Sequence, residues 1–328
     1  MAKKRLKDLV SAGDRFIVTA EFVPLPGHNL ANFEKFLTGY VQKRQELPED
    51  VVLAAVTIPQ SPGGQATMSP ADIYSILDKK NLWDDLDVLP HVTAKDHNAD
   101  ALKTYLIGLQ KLGLESVLAL TGDKPVESKG VFEVDSIGLI QLIGEMNYEA
   151  FEKAKGSDFE KIPQFFVCAA VSPFKYTEAS LMQQYYRMIK KHQVGAECFM
   201  TQVGWDWRKS EELFRFMREE KLNVPVLGNV YFLTTQTPAP RLMYEGKLQG
   251  CVVTKELFDK LTSETFEQHL ERAAQQVAMY RALGAAGVDL GGLFDFDQLV
   301  TIMKRAREIG ANWANYKDNL AYGPKNGY

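Results

Sequence analysis

Four polar side chains stand at the ends of apolar runs, where a packed sheet would expose them: Glu21, His91, Asp123 and Gln202. A carboxylate among apolar neighbours, as in residues 18–24, is costly to ionise. The pKa of Glu21 should therefore be raised, and its carboxyl could act as a general acid near neutral pH. The alternative is an acid that only caps or pairs at a strand end.

The other three residues each allow a chemical and a structural interpretation. His91 is either a base or ligand, or a hydrogen-bonded structural residue. Asp123 follows Gly122, which lets backbone approach a ligand closely, but the same pair could make an ordinary turn. Gln202 offers both a hydrogen-bond donor and an acceptor to a planar heterocycle, which alone means little.

Short apolar runs alternate with helix-period segments along the chain. Each run is nearly continuous in apolar character and is bounded by Gly, Pro, Asp or Asn, as strands buried on both faces are. They are Phe16–Phe22, Val51–Thr57, Asp87–Val92, Ser116–Leu120, Phe165–Ala170, Glu197–Gln202, Pro225–Asn229 and Gly287–Gly291. Eight such runs predict a (β/α)8 TIM barrel, whose active site is assembled at the carboxyl ends of the strands.

No glycine-rich GxGxxG turn follows the first run, which argues against a doubly wound sheet. P-loop, HExxH and EF-hand motifs are also missing from the sequence, so we expect no metal site. The sequence predicts a barrel over residues 1–312 and a tail over residues 313–328, which packs on the barrel or on a partner. Residues 124–164 form an added segment after the fourth strand, either a solvated helical decoration or a functional loop. Asp297 is the expected N-cap of the last helix.

The composition is that of a folded protein. The 328 residues are 45% hydrophobic and 24% charged, which excludes wholesale disorder. A net charge of −4 argues against nucleic acid as the main partner, and no apolar run approaches the roughly 20 residues that cross a membrane. The 3 cysteines are widely spaced and form neither a disulfide framework nor a CxxC pair. We therefore expect a reduced, cytoplasmic protein.

Taken in order, the strand ends resemble the methylenetetrahydrofolate reductase family, whose catalytic domain is a (β/α)8 barrel that binds a flavin. The resemblance covers about residues 15–300. The family motifs FEFFPP, PHLT, ALRGD, AGA…ITQ and IPGI are matched here by AEFVP at 20–24, PHVT at 90–93, ALTGD at 119–123, VGA…MTQ at 194–202 and PVLGN at 225–229.

The resemblance implies a flavin-dependent oxidoreductase of one-carbon metabolism that interconverts 5,10-methylenetetrahydrofolate and 5-methyltetrahydrofolate. Glu21 matches the general acid that assists protonation at N10. Asp123 matches the acid beside the flavin and pterin, and Gln202 matches the glutamine that hydrogen-bonds the pterin. The positions that the resemblance assigns to FAD are Thr57, His91, Leu120, Gly122, Asp123, Ala169 and Lys191.

The chain also departs from the family. Thr121 replaces the arginine of the LRGD motif, and residues 171–179 (VSPFKYTEA) replace YPExHPEA. These positions touch the flavin, so FMN or no flavin are alternatives to FAD. Residues 231–244 do not align with the family, which leaves NAD(P)H or a redox partner subunit as the electron donor, and a homo-oligomer or a hetero-complex as the assembly.

Two other functions remain open at this point. A pterin-binding barrel could transfer methyl groups to a corrinoid protein without redox chemistry. A non-catalytic barrel could serve as a subunit of a larger complex.

Overall fold

The apolar runs form the inner wall of a barrel, because helices cover one face of each strand and the barrel core covers the other. The computed structural model describes residues 5–24, 30–125, 127–154 and 164–324. Within these residues eight parallel strands close in chain order, and the last strand pairs with the first. The strands are β1 Phe16–Glu21, β2 Val51–Ile58, β3 Asp87–Thr93, β4 Ser116–Leu120, β5 Phe166–Val171, β6 Cys198–Thr201, β7 Val226–Tyr231 and β8 Gly287–Gly291.

Helices alternate with these strands and pack around them, which confirms the predicted (β/α)8 barrel. The α-helices are α1 Leu6–Ala12, α2 Ala31–Lys43, α3 Pro70–Asp78, α4 Ala99–Lys111, α5 Ser136–Ala154, α6 Glu178–Gln193, α7 Trp207–Glu219, α8 Ala239–Tyr244, α9 Lys255–Ser263, α10 Phe266–Leu283 and α11 Phe296–Ile309. Three 3₁₀ segments cover Arg44–Glu46, Pro62–Gly64 and Gly310–Leu320. Among the described residues, no helix is both long and apolar enough to cross a lipid bilayer.

A β-bulge in β2 decides which of its side chains face the barrel interior. Val18 of β1 pairs with Leu53, but Thr19 pairs with Ala55, so Ala54 is an extra residue in β2. Side chains alternate between the two faces of a strand, and an extra residue resets the alternation. Thr57 therefore points into the barrel, where it meets a carboxylate of β8.

Helix α1 closes the amino-terminal end of the barrel. Its first residue, Leu6, is fully buried in the interior cluster formed by strand residues such as Ile17 and Leu89. The backbone N–H of Leu6 donates to Oδ2 of Asp87 at 2.9 Å, and the hydroxyl of Ser116 donates to the same oxygen at 3.0 Å. Within the described residues, α1 therefore closes this end of the barrel, and we call the opposite end the mouth.

Two connections are longer than the basic repeat. After β4, the described residues form a loop and the single helix α5, which buries Leu139, Ile140 and Ile143 in the main core. Residues 155–163, which belong to the added segment predicted at residues 124–164, lie outside the described residues. After β7, the chain adds α8 and α9 before the expected helix α10. The sequence patterns did not predict this second addition.

The tail packs on the barrel over the residues described. Trp313 and Leu320 belong to the main core, and the backbone N–H of Tyr322 donates to the carbonyl of Trp205 at 2.9 Å. The last 3₁₀ segment crosses the predicted boundary at residue 312, and the division into barrel and tail stays a prediction. Residues 325–328 lie outside the described part of the chain.

The N-cap of the last helix differs from the expected one. The side chain of Asp295, not Asp297, accepts from the backbone N–H of Gln298, at 3.2 Å. Helix α11 begins two residues earlier than the sequence pattern suggests, so Asp297 lies in its first turn. There its carboxylate pairs with Lys43 of α2 at 2.6 Å.

Candidate functional site

Glu21 is the last residue of β1 and faces the barrel interior at the mouth. It follows Thr19 by two residues and so lies on the same face of the strand. Burial, together with the nearby negative charge of Asp289, raises the pKa of Glu21 to about 8. The carboxyl of Glu21 is therefore protonated at neutral pH, as a general acid must be before it can give up a proton.

Asp289 is a buried carboxylate of β8 that the sequence analysis missed. Its Oδ1 accepts from the hydroxyls of Thr19 at 2.6 Å and Thr57 at 3.1 Å, and its Oδ2 accepts from Nδ2 of Asn229 at 3.1 Å. Burial raises the pKa of Asp289 to about 6, although the hydroxyl hydrogen bonds act in the opposite direction. Asp289 lies in the middle of the run GVDLG and not at a strand end, where an acidic residue is easier to recognise from sequence. The sequence feature that could have identified Asp289 is an acidic residue inside an otherwise apolar strand.

The carboxyl of Glu21 leans over Gly291 toward strand β8. A Cβ atom added at Gly291 would lie 2.9 Å from Oε2 of Glu21 and 2.9 Å from Cδ2 of Tyr231. Since real Cβ atoms do not approach other atoms so closely, only glycine at this position leaves room for the carboxyl and the ring. Burial and the charge of Glu21 raise the pKa of the Tyr231 hydroxyl, which stays neutral.

Asp123 lies at the mouth after β4 and is held by the loop after β2. Its Oδ2 accepts from the backbone N–H of Gly63 at 3.0 Å. The two loops also touch through backbone, because a Cβ atom added at Gly64 would lie only 2.1 Å from the carbonyl oxygen of Lys124. The Asp123 carboxylate is therefore fixed in place while remaining partly exposed at the mouth.

Gln202 follows β6 and presents its amide at the mouth. Its Oε1 accepts from the backbone N–H of Val203 at 2.9 Å, which fixes the orientation of the amide. Its Nε2 lies against the segment that follows α8, because a Cβ atom added at Gly250 would be 2.8 Å from that nitrogen.

Residues 246–253, which we call the covering segment, bring the three predicted catalytic residues into one neighbourhood. Burial raises the pKa of the Cys251 thiol to about 12, and the charges of Glu21 and Asp123 contribute. Cys251 therefore lies near both carboxyl groups, and its neighbour Gly250 contacts Gln202. Leu248 lies beside the Gly63 loop, 3.9 Å from a Cβ atom added there. The covering segment occupies the mouth in this conformation.

Three of the positions assigned to the flavin line the mouth. His91 faces inward two residues after Leu89, and its Nε2 is buried with no hydrogen-bond partner in the part of the chain that the structure describes. Burial lowers the pKa of His91 to about 3, so the imidazole is neutral. Leu120 packs on the interior cluster, and Gly122 has a φ of +90°, a conformation that favours glycine.

Of the remaining four positions, Asp123 is described above, and the other three are engaged within the protein. Thr57 donates to Asp289, and Nζ of Lys191 donates to the carbonyl of Ala170 at 2.7 Å. Burial and the charge of Arg187 lower the pKa of Lys191 to about 8. The side chain of Ala169 lies in the core between sheet and helices, so only its backbone could face a ligand in the mouth. The partnerless Nε2 of His91 and the glycine at position 122 suit a flavin ring at the mouth, and the contacts assigned to all seven positions stay predictions.

Thr121 has a structural role in place of the family's arginine. Its hydroxyl oxygen accepts from the backbone N–H of Ser136, the first residue of α5, at 3.0 Å. The replaced motif at 171–179 likewise begins a helix, because the side chain of Thr177 caps α6 by accepting from the N–H of Ser180. Both departures from the family sequence therefore support helix ends.

A cleft of about 830 Å³ opens at the amino-terminal end of the barrel, remote from these residues. It is lined by Val10 of α1, by Arg218 and Lys221 near the end of α7, and by Val224 and Val226 at the start of β7. Since active sites of this fold lie at the other end, we do not assign the chemistry to this cleft. Among the described residues, no three His, Cys, Asp or Glu side chains are grouped as a metal site requires.

The chain resembles solved structures at low sequence identity. An uncharacterised protein from Clostridium thermocellum that binds two copies of 5-methyl-5,6,7,8-tetrahydrofolic acid is 11% identical, with a TM-score of 0.58 over 93% of this chain and 98% of that one. A 2,3-dimethylmalate lyase is 10% identical, with a TM-score of 0.49 over 100% and 89% of the two chains. A 7,8-dihydropteroate synthase from Vibrio fischeri ES114 is 12% identical, with a TM-score of 0.47 over 90% and 93%. The last two similarities carry no argument.

The comparison with curated proteins gave no match. The family model described as methylenetetrahydrofolate reductase matches residues 4–289. This match covers β1 to β7 and the first three residues of β8, and it includes every predicted site residue. The chain belongs to the methylenetetrahydrofolate reductase family.

Proposed function

We propose that this chain binds a tetrahydrofolate at the barrel mouth and interconverts 5,10-methylenetetrahydrofolate and 5-methyltetrahydrofolate in one-carbon metabolism. The observation that carries the proposal is the buried carboxyl of Glu21, whose pKa is raised to about 8. A group that is protonated at neutral pH and faces the mouth suits a reaction that begins with proton transfer. The tetrahydrofolate bound by the Clostridium thermocellum barrel supports the choice of ligand.

Glu21 would protonate N10 of the folate. The C–N10 bond of the methylene bridge then breaks, its electron pair goes to N10, and a cationic N5 iminium remains. The carboxylate of Asp123 at the same mouth would stabilise this cation. The amide of Gln202 would hydrogen-bond the pterin, since it carries both a donor and an acceptor.

The family implies a flavin, FAD or FMN, and His91, Leu120 and Gly122 would hold its ring. A bound flavin would supply the hydride that reduces the one-carbon unit to a methyl group, and accept it in the reverse direction. The neutral imidazole of His91, with its buried Nε2 lacking a partner among the described residues, could hydrogen-bond such a ring. Water must be kept from the cation, and the covering segment at residues 246–253 lies where it could do so.

The donor to the flavin and the assembly belong to the same proposal. We propose NAD(P)H or a redox partner subunit as the electron source, and a homo-oligomer or a hetero-complex as the form in which the protein works. All three cysteines are free, which supports a reducing compartment such as the cytoplasm.

A second candidate is a folate-binding barrel without redox chemistry, either a methyltransferase or a non-catalytic subunit. The observation that favours it is the engagement of Thr57, Thr121 and Lys191 with protein groups, because these positions are then less available to a flavin. The intact set of Glu21, Asp123 and Gln202 favours the reductase, since a degenerate subunit would more often have lost one of them.

The test is an absorbance spectrum of the purified protein with and without added FAD and FMN, followed by anaerobic mixing with 5-methyltetrahydrofolate. The proposal expects a flavin spectrum that bleaches when the methylated folate is added. A bound flavin that keeps its colour would contradict the reductase, and failure to bind either flavin would favour the redox-free barrel. Calorimetric titration with 5-methyltetrahydrofolate separates the folate site from both results.

A further inference from the structure

Strands β1 and β8 place two carboxyl groups on the same inner face of the barrel. Thr19 pairs with Asp289, and Glu21 pairs with Gly291, so the two acids are separated by two residues along neighbouring strands. Two residues correspond to about 7 Å of strand, a distance that the Glu21 side chain can shorten. Its carboxyl packs over Gly291, which lies two residues from Asp289 on the same strand.

Uncharged hydrogen-bond donors stabilise the negative charge of Asp289. Thr19, Thr57 and Asn229 come from three other strands and converge on its two oxygens. Hydrogen bonds to an ionised carboxylate stabilise it, while a like charge nearby disfavours the ionisation of a second acid. Because these donors are uncharged, they stabilise the negative charge of Asp289 without neutralising it.

We infer that Asp289 is a positioning residue whose buried negative charge adds to the effect of burial in holding the proton on the Glu21 carboxyl near neutral pH. This inference rests on the proposed function, in which Glu21 gives its proton to N10 of a folate. Asp289 itself lies one layer below Glu21 in the barrel and acts through it. The two carboxyls therefore differ in protonation near neutral pH, because Asp289 carries the negative charge and Glu21 carries the proton.

The other groups that face Glu21 do not titrate in the same range. Tyr231 on β7 and Cys251 on the covering segment both have raised pKa values and stay neutral near pH 8. His91 on β3 is neutral because burial lowers its pKa to about 3. Asp123 lies at the mouth on the loop after β4. Among these groups the pH range from 6 to 9 is left to the Glu21–Asp289 pair, while Lys191 on α6, whose pKa is about 8, bonds the carbonyl of Ala170 and has no carboxyl band.

The first experiment is an infrared titration of the protonated carboxyl band in the full chain, without folate. Loss of the band in Glu21→Gln assigns it to Glu21. In Asp289→Asn we expect the titration of Glu21 to move to lower pH by about one unit, the scale on which a charged neighbour acts. Thr19→Val should move it in the same direction by less, because Asp289 then loses a donor and holds its charge less well.

The matched control is Asp87→Asn, which removes a buried carboxylate from the other end of the same barrel. It should leave the Glu21 titration unchanged. An unchanged titration in Asp289→Asn and Thr19→Val, or an equal shift in Asp87→Asn, would overturn the inference.

The second readout is the pH profile of the folate reaction. A one-unit shift in Glu21 predicts that Asp289→Asn loses about fivefold in rate at pH 8 and little at pH 6. A uniform loss at all pH values would mean that Asp289 serves only the structure. If the wild type shows no folate turnover, the proposed function fails while the infrared result still decides the role of Asp289.

Discussion

At the scale of single residues, the proposed chemistry depends on a proton that Glu21 must hold and then release. Replacing Glu21 by Gln keeps the shape and removes the proton source. General acids typically contribute about 10²- to 10⁴-fold to a rate, and we expect a loss of folate turnover in this range. Reduction of a bound flavin by its donor should survive, because it needs no proton from Glu21. Separate stopped-flow assays of the two half-reactions check this.

Asp123→Asn is the companion variant. It removes a negative charge but leaves an amide oxygen that can still accept from Gly63. The folate half-reaction should therefore fall much less than in Glu21→Gln. If both half-reactions fell together in Glu21→Gln, or if Asp123→Asn were the more damaging change, the assigned roles would be wrong.

Glu21 should also make the folded protein less stable as pH rises. An unfolded Glu21 loses its proton near 4.5, whereas in the folded protein the pKa is about 8, so the folded state binds more protons between these values. The free energy of unfolding then decreases as pH rises from about 4.5 to 8, by on the order of a few kcal/mol. Glu21→Gln should flatten this dependence and be more stable than the wild type at pH 8. Urea unfolding at pH 5 and pH 8 measures it, and equal differences at both pH values would argue against a raised pKa.

The sequence identified Glu21 but not Asp289, for a physical reason. The end of a strand can be recognised in the sequence because Gly or Pro follows the apolar run, and an acidic residue at such an end is easily noticed. The inward direction of Asp289 depends on register, and the convergence of Thr57 on it depends on the bulge at Ala54. Neither the strand register nor the position of a β-bulge can be predicted from a local sequence pattern. The same limitation hid that Ala169 faces the helices while its neighbours Cys168 and Ala170 face inward.

At the scale of elements, all eight strands were predicted to within about two residues because strands buried on both faces are nearly continuous apolar runs. The helices α8 and α9 were not, since a short amphipathic helix on a loop resembles any other polar connection. These two helices matter to the site because the covering segment lies between them. Sequence patterns therefore predicted the scaffold and most of the candidate residues, but not the segment that covers them.

The contact between the covering segment and Gln202 can be tested with two glycines. Gly250 and Gly246 both have positive φ values, of 77° and 68°, so alanine strains the backbone at either one. Only at Gly250 would the new Cβ atom also meet Gln202, at 2.8 Å, whereas nothing lies within 4 Å at Gly246. Gly250→Ala should therefore lift the segment and increase the rate at which a thiol reagent labels Cys251, by about threefold or more relative to Gly246→Ala.

Labelling can be assigned because Cys168 and Cys198 are fully buried in the barrel. Mass spectrometry of the labelled peptide gives the rate at Cys251 alone. Equal rates in the two alanine variants would show that the contact with Gln202 does not hold the segment at the mouth.

At the scale of the whole molecule, the chain closes the barrel at both ends and braces it on one side. Helix α1 blocks the amino-terminal end, the covering segment lies over the mouth, and the tail packs along α7 and α10. The candidate site is thereby enclosed by segments distant in sequence. Its geometry should depend on contacts that do not touch it, and the tail is the clearest case.

Trp313 couples the tail to the barrel. Its ring meets that of Trp207 edge to face, with centroids 6.0 Å apart, and Nζ of Lys317 lies 4.0 Å from the Trp207 ring. Trp313→Ala leaves a cavity in the main core and should lower the free energy of unfolding by about 3 kcal/mol. Tyr186→Ala, which removes a ring that is 57% exposed, should change it by less than about 0.5 kcal/mol. Chemical denaturation of both variants decides the matter: an unchanged stability in Trp313→Ala would mean that the tail is free to leave the barrel and dock on a partner.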